Sequence, residues 1–443
     1  MAGTVIDAGV LLDRGNWGSY QRLATLLAAM CILLDGFDNQ ALSFALPALM
    51  ADWHLAVAAF APVFAFGLTG VSIGAVCGGL LSDRYGRRPV LMASVLLFGG
   101  FSVAMSIANH IGALLVLRFF ASIGLGGAMP TATSLVSEMV PARLRTVLVT
   151  LTVACFPLGG TLGGVLAGYL VPTLGWRPLF LIGGGSALLL LLLLYWGLPE
   201  SPRFLVRSPQ RWRELSRILQ RMGCDMSMQA VYIDSTEQPK LETSLRVLLG
   251  SELRRNTVML CLAFSCSLLA MQWVVSWVPT LLTSNGLDLS AASLGLSAYN
   301  LGGVVGSVML GFVVARIGSR MALLLALLGA GLAAAWLGVQ PAMTQEGARW
   351  LIIGLGLHGL FAHAVQTSLS ALSIHVFPTG VRATGSGATI AFGRVMAALS
   401  GSFTGPILIA LGARWYFFAL VAAFMVTLLV LQFVTRHIEP RSP

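Results

Sequence analysis

Gly79 to Arg88 reads GLLSDRYGRR, and Gly311 to Arg320, in the later half of the chain, reads GFVVARIGSR. The second copy keeps Arg316, Gly318 and Arg320 but has Ala315 where the first has Asp83. Two more echoes share a single, nearly equal offset: Pro141-x3-Arg145-Thr146 with Pro378-x3-Arg382-Ala383-Thr384, and Gly175-Trp176-Arg177-x2-Phe180 with Gly412-Ala413-Arg414-x2-Phe417. Chance could supply one such match. Three in order argue for a duplicated six-helix unit.

The sequence between the echoes reads as membrane. Over 443 residues the chain is 57% hydrophobic and only 10% charged. Polar and Pro/Gly punctuation cuts it into twelve apolar runs, near 23–45, 57–82, 89–108, 112–136, 146–170, 176–198, 256–283, 290–315, 320–340, 348–374, 383–410 and 413–435. That pattern predicts an all-α polytopic membrane protein of two pseudo-symmetric six-helix bundles. The bundles would occupy 1–198 and 256–443, joined by a soluble basic linker at 199–255.

The net charge of +10 is explained by orientation rather than by nucleic acid. With both termini and the linker in the cytoplasm, twenty-two of the 27 Lys/Arg lie on that side and three (Arg177, Arg349, Arg414) outside, while Arg118 and Arg394 fall within spans. This asymmetry fixes the topology. Met1 to Arg22 is mixed and polar, so no cleaved signal peptide is expected. The six cysteines form no CxxC pair, which indicates neither a disulfide framework nor a metal site. No cofactor is expected.

Leu33 to Pro47, LLDGFDNQALSFALP, places Asp35 and Asp38 inside the first span. At about 1.5 Å per residue they lie roughly 18–23 Å into a core of about 30 Å. Spaced three apart, they share a helix face. Arg118 enters from the opposite side and reaches a comparable depth, and Arg394 lies about 18 Å into the eleventh span. Charge at such depth must pair, face water or bind something charged. A structural ion-pair network between helices is one reading. In the other, Arg118 or Arg394 offers a two-pronged grip to a carboxylate, while Asp35 or Asp38, whose charged form burial disfavours, carries a coupling proton.

GLLSDRYGRR resembles the G-x3-D-R-x-G-R-R loop between the second and third helices of the major facilitator superfamily. Within it, DGFD in the first span, RFFASIGLGGAMPTATSLVSE (Arg118 to Glu138) in the fourth and LPESPRFL after the sixth are similar to the aromatic acid:proton symporter family, typified by 4-hydroxybenzoate and benzoate permeases. Sugar porters share the DR-x-GRR loop and a PESPR-like segment, but not the paired acids; they usually end on a PETKG-like sequence where this chain reads RHIEPRSP. The resemblance implies a functional role for Asp35, Asp38, Arg118 and Arg394. It implies import of a small aromatic carboxylate with protons by alternating access, by a monomer in the bacterial inner membrane.

An aromatic substrate needs flat apolar walls. Candidates are Phe37 beside the acids, Gln272, Trp273 and Trp277 in the seventh span, Tyr299 and Asn300 in the eighth, and Phe392 beside Arg394. Aromatics in membrane helices are more often packing or interfacial anchors. Gln272 with Trp273 is the preferred pair, because the superfamily usually lines its cavity with the first, fourth, seventh and tenth helices. His358, His363 and Gln366 could relay protons or make helix-to-helix hydrogen bonds, and the latter is favoured. Asp83, Arg84, Gly86, Arg87 and Arg88 read as a gate latch that could meet the helix beginning near Arg382, with Gly86 permitting a tight turn. Glu138, Arg143 and Arg145 would form a neighbouring network, with His375 replacing the acid in the second half. Gly159, Gly160, Gly163, Gly164 and Gly168 suit close helix packing.

A drug or metabolite exporter, or a sugar porter of the same fold, is the competing transport reading. A membrane enzyme or receptor is disfavoured, since no HExxH, GxSxG or metal-binding pattern occurs at a helical position.

Overall fold

A computed structural model describes residues 5–223, 231–235, 248, 250, 253–340, 347–377, 382–435 and 437–438. Met1, Cys224, Lys240, Arg246, Pro378, Arg436, Arg441 and Pro443 lie outside them. The long helices are α1 (Ser19–Trp53), α2 (Ala61–Tyr85), α3 (Arg87–Met105), α4 (Ile111–Met139), α5 (Ala142–Leu174) and α6 (Arg177–Gly197). The second set is α7 (Arg254–Ser284), α8 (Leu289–Val314), α9 (Arg316–Gly338), α10 (Ala348–Val376), α11 (Arg382–Leu411) and α12 (Ala413–Leu431). Among the described residues, eleven helices are long and apolar enough to cross a membrane. α11, at 30 residues, completes the expected set.

The GRR turn has a physical cause. Gly86 sits at φ +106°, and a Cβ there would fall 2.1 Å from Glu200 Oε2. Only glycine accepts both conditions. Glu200 Oε1 in turn accepts from the backbone N–H groups of Arg87 (2.8 Å), Arg88 (3.2 Å) and Ser201 (2.9 Å). The PES segment therefore caps α3, placing a carboxylate on the positive end of the helix. In the second half, Gly318 at φ +78° breaks α8 from α9. Ser319 there exchanges hydrogen bonds with Ile438, donating N–H to its carbonyl (2.9 Å) and accepting its N–H at Oγ (2.8 Å). His437 thus stands where Glu200 does, displaced by the same offset as the Pro141 and Gly175 echoes.

The halves meet along α5 with α8, α2 with α11, and α1 with α7. The glycines of α5 make this possible. Gly164 lies against Ser297 in α8, while Gly159 lies against the carbonyl of Leu33 in α1 and so sets α5 close within its own half. Across this seam the buried amides of Gln40 and Asn300 exchange two hydrogen bonds, at 3.1 and 2.8 Å.

One expectation needs correcting. The start of the chain, read as mixed and polar, and the 199–255 segment, read as a soluble basic linker, contribute described residues to one folded unit. Val5–Asp7 (β1) pairs in parallel with Val231–Ile233 (β2). The short helices Ala8–Arg14, Pro202–Val206 and Trp212–Arg221 close over a core that includes Leu12, Leu205, Leu215, Leu219 and Tyr232. Asp13 pairs with Arg203 (2.6 Å) and with Arg145 of α5, and Arg203 pairs with Asp234 (3.2 Å). The arginines that suggested a solvated linker lie around apolar residues at helical spacing.

Candidate functional site

The two acids of α1 part company. Asp38 is buried within the first half, where Oδ1 accepts from Ser102 Oγ of α3 and Oδ2 lies 3.6 Å from Arg118 Nη1. Arg118 also donates to the α1 carbonyls of Asp38 (3.1 Å) and Asn39 (2.9 Å). A buried guanidinium is thereby matched by a carboxylate and two carbonyl dipoles, the condition under which such charge is tolerated. Close contact of α2 with α4 fixes its height, since a Cβ on Gly74 would lie 2.0 Å from the carbonyl of Ile123.

Asp35, three residues earlier, faces a cavity of about 230 Å³ between the halves, lined also by Asn39, Phe156, Gln272 and Arg394. Asp35 and Arg394 form no hydrogen bond or ion pair among the described residues, and Arg394 is exposed within the cavity. Gly36 positions this wall: a Cβ there would meet the carbonyl of Phe156 at 1.9 Å, so the α5 backbone backs onto α1 one residue from Asp35, and Phe156 lines the cavity with it. A recess of about 20 Å³ adjoins the cavity, lined by Asn39, Ser43, Phe64, Arg118, Gln272 and Ser276. Phe64 at its edge packs on Trp277, their ring centroids 4.6 Å apart and Trp277 fully buried. α1 and α7 run in the same direction across the seam, and each lines both the cavity and the recess, through Asn39 and Gln272.

Several sequence candidates lie elsewhere. Phe37 packs on Gly163 and Gly183 inside the first half. Trp273 turns into the second half, where Nε1 donates to Thr404 Oγ1 (2.8 Å) and its carbonyl accepts from Tyr416. One helical step of ~100° separates it from Gln272, so only Gln272 of the preferred pair reaches the cavity. Trp277 packs on Phe64, and Asn300 is paired with Gln40. Tyr299 is buried with its ring centroid 5.8 Å from that of His358 and 4.9 Å from that of His363. Phe392 is 47% exposed and does not line the cavity. His358 Nδ1 contacts the carbonyl of Ala330 (3.1 Å), and Gln366 accepts from Ser267 (3.1 Å), both helix-to-helix bonds. The cavity's aromatic wall is Phe156, which sequence reasoning passed over. Its signal lay in Gly159, one turn further along α5.

At the face bearing residues 5–14, Arg87 pairs with Asp83 (3.0 Å) and Glu138 (2.9 Å), and Ser201 donates to Glu138. Arg88 donates to the carbonyl of Tyr195, and Arg84 lies 5.4 Å from the ring of Tyr85. Arg382 opens α11, but its side chain lies outside what the structure describes.

A profile of the Major Facilitator Superfamily matches residues 28–337 and 260–443. The gallate transporter of Pseudomonas putida is 34% identical over 407 residues, covering 92% of this chain and 90% of that protein. The 4-hydroxybenzoate transporter PcaK of Acinetobacter baylyi is 32% identical over 417 residues, covering 93% and 90%. Among solved structures, the D-xylose-proton symporter superposes with a TM-score of 0.71 at 21% identity, covering 94% of this chain and 98% of that one, a likeness of fold. The duplicated helices, the DR-x-GRR turn and these relatives converge: the chain belongs to the major facilitator superfamily, in its aromatic acid:proton symporter family.

Proposed function

We propose that this protein imports a small aromatic carboxylate, of the 4-hydroxybenzoate or benzoate kind, together with protons. The observation that carries the reading is the cavity between the halves, which holds one carboxylate, Asp35, and one guanidinium, Arg394, without an ion pair between them. Arg394 grips the substrate carboxylate. Protonation of Asp35 removes an anion that would repel the substrate, so proton and substrate favour each other's binding, and the coupling is reciprocal. Asp38 pairs with Arg118 and holds α1 to α4. The named functions of the relatives support the substrate class.

The two bundles, 1–198 and 256–443, rock about the cavity, with 199–255 between them. Both termini lie in the cytoplasm, and the protein is a monomer in the bacterial inner membrane. The arginine asymmetry supports that placement.

Proteoliposomes loaded at neutral pH and diluted into acidic buffer should accumulate radiolabelled 4-hydroxybenzoate, and a protonophore should abolish the accumulation. Asp35→Asn should exchange substrate but not accumulate it. Uptake indifferent to the protonophore, or accumulation by Asp35→Asn, would overturn the reading.

A further inference from the structure

The seam between α5 and α8 is hydrogen-bonded over one half of its length. Ser290 Oγ, in the first turn of α8, donates to the carbonyl of Gly168 (2.6 Å). Two turns further along, the hydroxyls of Ser297 and Thr161 each donate to the other residue's carbonyl, at 3.1 and 3.4 Å. Asn300, paired with Gln40, follows near the middle of the span, since ten residues of α8 rise about 15 Å in a core of about 30 Å. Arg145, near the start of α5, pairs with Asp13, so Thr161 and Gly168 lie in the half of the seam remote from residues 5–14. Between 142–157 of α5 and 301–314 of α8, no hydrogen bond joins the helices among the described residues.

The duplication shows that this bonding is particular to one seam. At the offset of the GRR echo, Ser290, Ser293, Ser297 and Asn300 are matched by Ala58, Ala61, Ala65 and Leu68. At the offset of the Pro141 echo, Thr161 is matched by Ala398. The α2–α11 seam thus has no side-chain donor at the corresponding positions.

The hydroxyls are also placed to let go. Ser297 Oγ reaches the carbonyl of Ser293 (3.1 Å) as well, and Thr161 Oγ1 that of Pro157 (3.0 Å), each one turn back on its own helix. When the helices separate, both hydroxyls keep a partner and no donor is stranded in the membrane, where the loss is costliest. Ser290 is the second residue of α8, at a helix end, where water can replace the Gly168 carbonyl. The amides of Gln40 and Asn300 have no alternative partner among the described residues, and parting there would leave both unsatisfied.

We infer that Thr161, Ser290 and Ser297 form a reversible clasp, which parts each time the cavity opens toward the end of the seam remote from residues 5–14 and closes again on the return. This rests on the reading of the two halves as bundles that rock about the cavity.

The test is a removable cross-link. A Cβ on Gly168 would lie 3.5 Å from the Ser290 Cα, within reach of a disulfide. Gly168→Cys and Ser290→Cys are combined in the full chain and oxidised with copper–phenanthroline, and uptake of radiolabelled 4-hydroxybenzoate into proteoliposomes is followed before and after dithiothreitol. The cross-linked protein should lose uptake and the reduced protein regain it, which also shows that the double variant is folded, while each single variant transports under both conditions. Undiminished uptake by the cross-linked protein would overturn the clasp while leaving import intact, as would failure of the two cysteines to cross-link. A native chain that takes up no 4-hydroxybenzoate in the same assay would remove the import reading itself, and the clasp with it.

Discussion

Gln40 and Asn300 hold the two halves together by two reciprocal amide hydrogen bonds, 3.1 and 2.8 Å long and fully buried. Gly160 makes room for them, since a Cβ there would lie 2.4 Å from Gln40 Nε2. Gln40→Ala should leave the Asn300 amide unsatisfied and cost about 1–3 kcal/mol. Replacing both by leucine should recover most of that loss. Thermal unfolding in detergent checks it; equal melting of single and double variants would show that the pair contributes nothing.

The two membrane arginines should fail differently. Arg118→Ala strands buried Asp38 without a countercharge and should destabilise the fold by about 3–5 kcal/mol, read as a lowered Tm. Arg394, exposed in the cavity with no ion pair among the described residues, should be replaceable by alanine with little change in Tm but loss of carboxylate binding. Arg394→Lys should restore binding only in part, because an ammonium cannot grip bidentately. A stable Arg118→Ala protein, or an Arg394→Ala protein that binds normally, contradicts this division.

At the α3 turn, Gly86→Ala combines positive φ with a collision against the Glu200 carboxylate. A loss of about 1–3 kcal/mol is expected. Glu200→Ala removes the cap and should cost about 1–2 kcal/mol. Because Gly86→Ala displaces the same carboxylate, the double variant should lose less than the sum, measurable as non-additive Tm shifts.

Burial, then the Arg320 guanidinium and more weakly His375, hold the His437 imidazole below its ordinary range. The unfolded chain therefore takes up the proton first as pH falls, and the folded protein loses stability below about pH 6.5. His437→Gln should reduce the drop in Tm between about pH 7.5 and pH 5.5. An unchanged drop would assign the acid sensitivity to other groups.

Asp83→Asn should slow turnover while leaving substrate affinity near normal, since the Asp83–Arg87–Glu138 network lies away from the cavity and biases the exchange between states. Normal turnover of purified Asp83→Asn would dismiss the latch.

The fold was legible because membrane spans are written in length and apolarity, and because duplication repeats its turn residues at fixed offsets. Gly86 and Gly318 announced their turns in this way. The candidate charged residues Asp35, Asp38, Arg118 and Arg394 stood out in the sequence because charge is costly anywhere in a membrane. What the sequence could not supply was azimuth. Asp35 and Asp38 differ by less than a turn yet face a cavity and a packed core, and Gln272 and Trp273 diverge by a single residue. Which way each points depends on glycine contacts such as Gly36 with Phe156, which only the assembled helices reveal. The folded unit around Tyr232 escaped notice because its apolar residues are split between residues 5–14 and 202–233, too few in either place to stand out.

That same unit carries a consequence for biosynthesis. Val5–Asp7 lies in register with Val231–Ile233, so its strand partner leaves the ribosome only after six spans have been made. Until then the leading residues have no sheet to join, and pairing closes the first half into a unit whose ends are tied together. A fragment of residues 1–235 contains every element of that closure, whereas one ending at residue 198 leaves the leading strand without its mate.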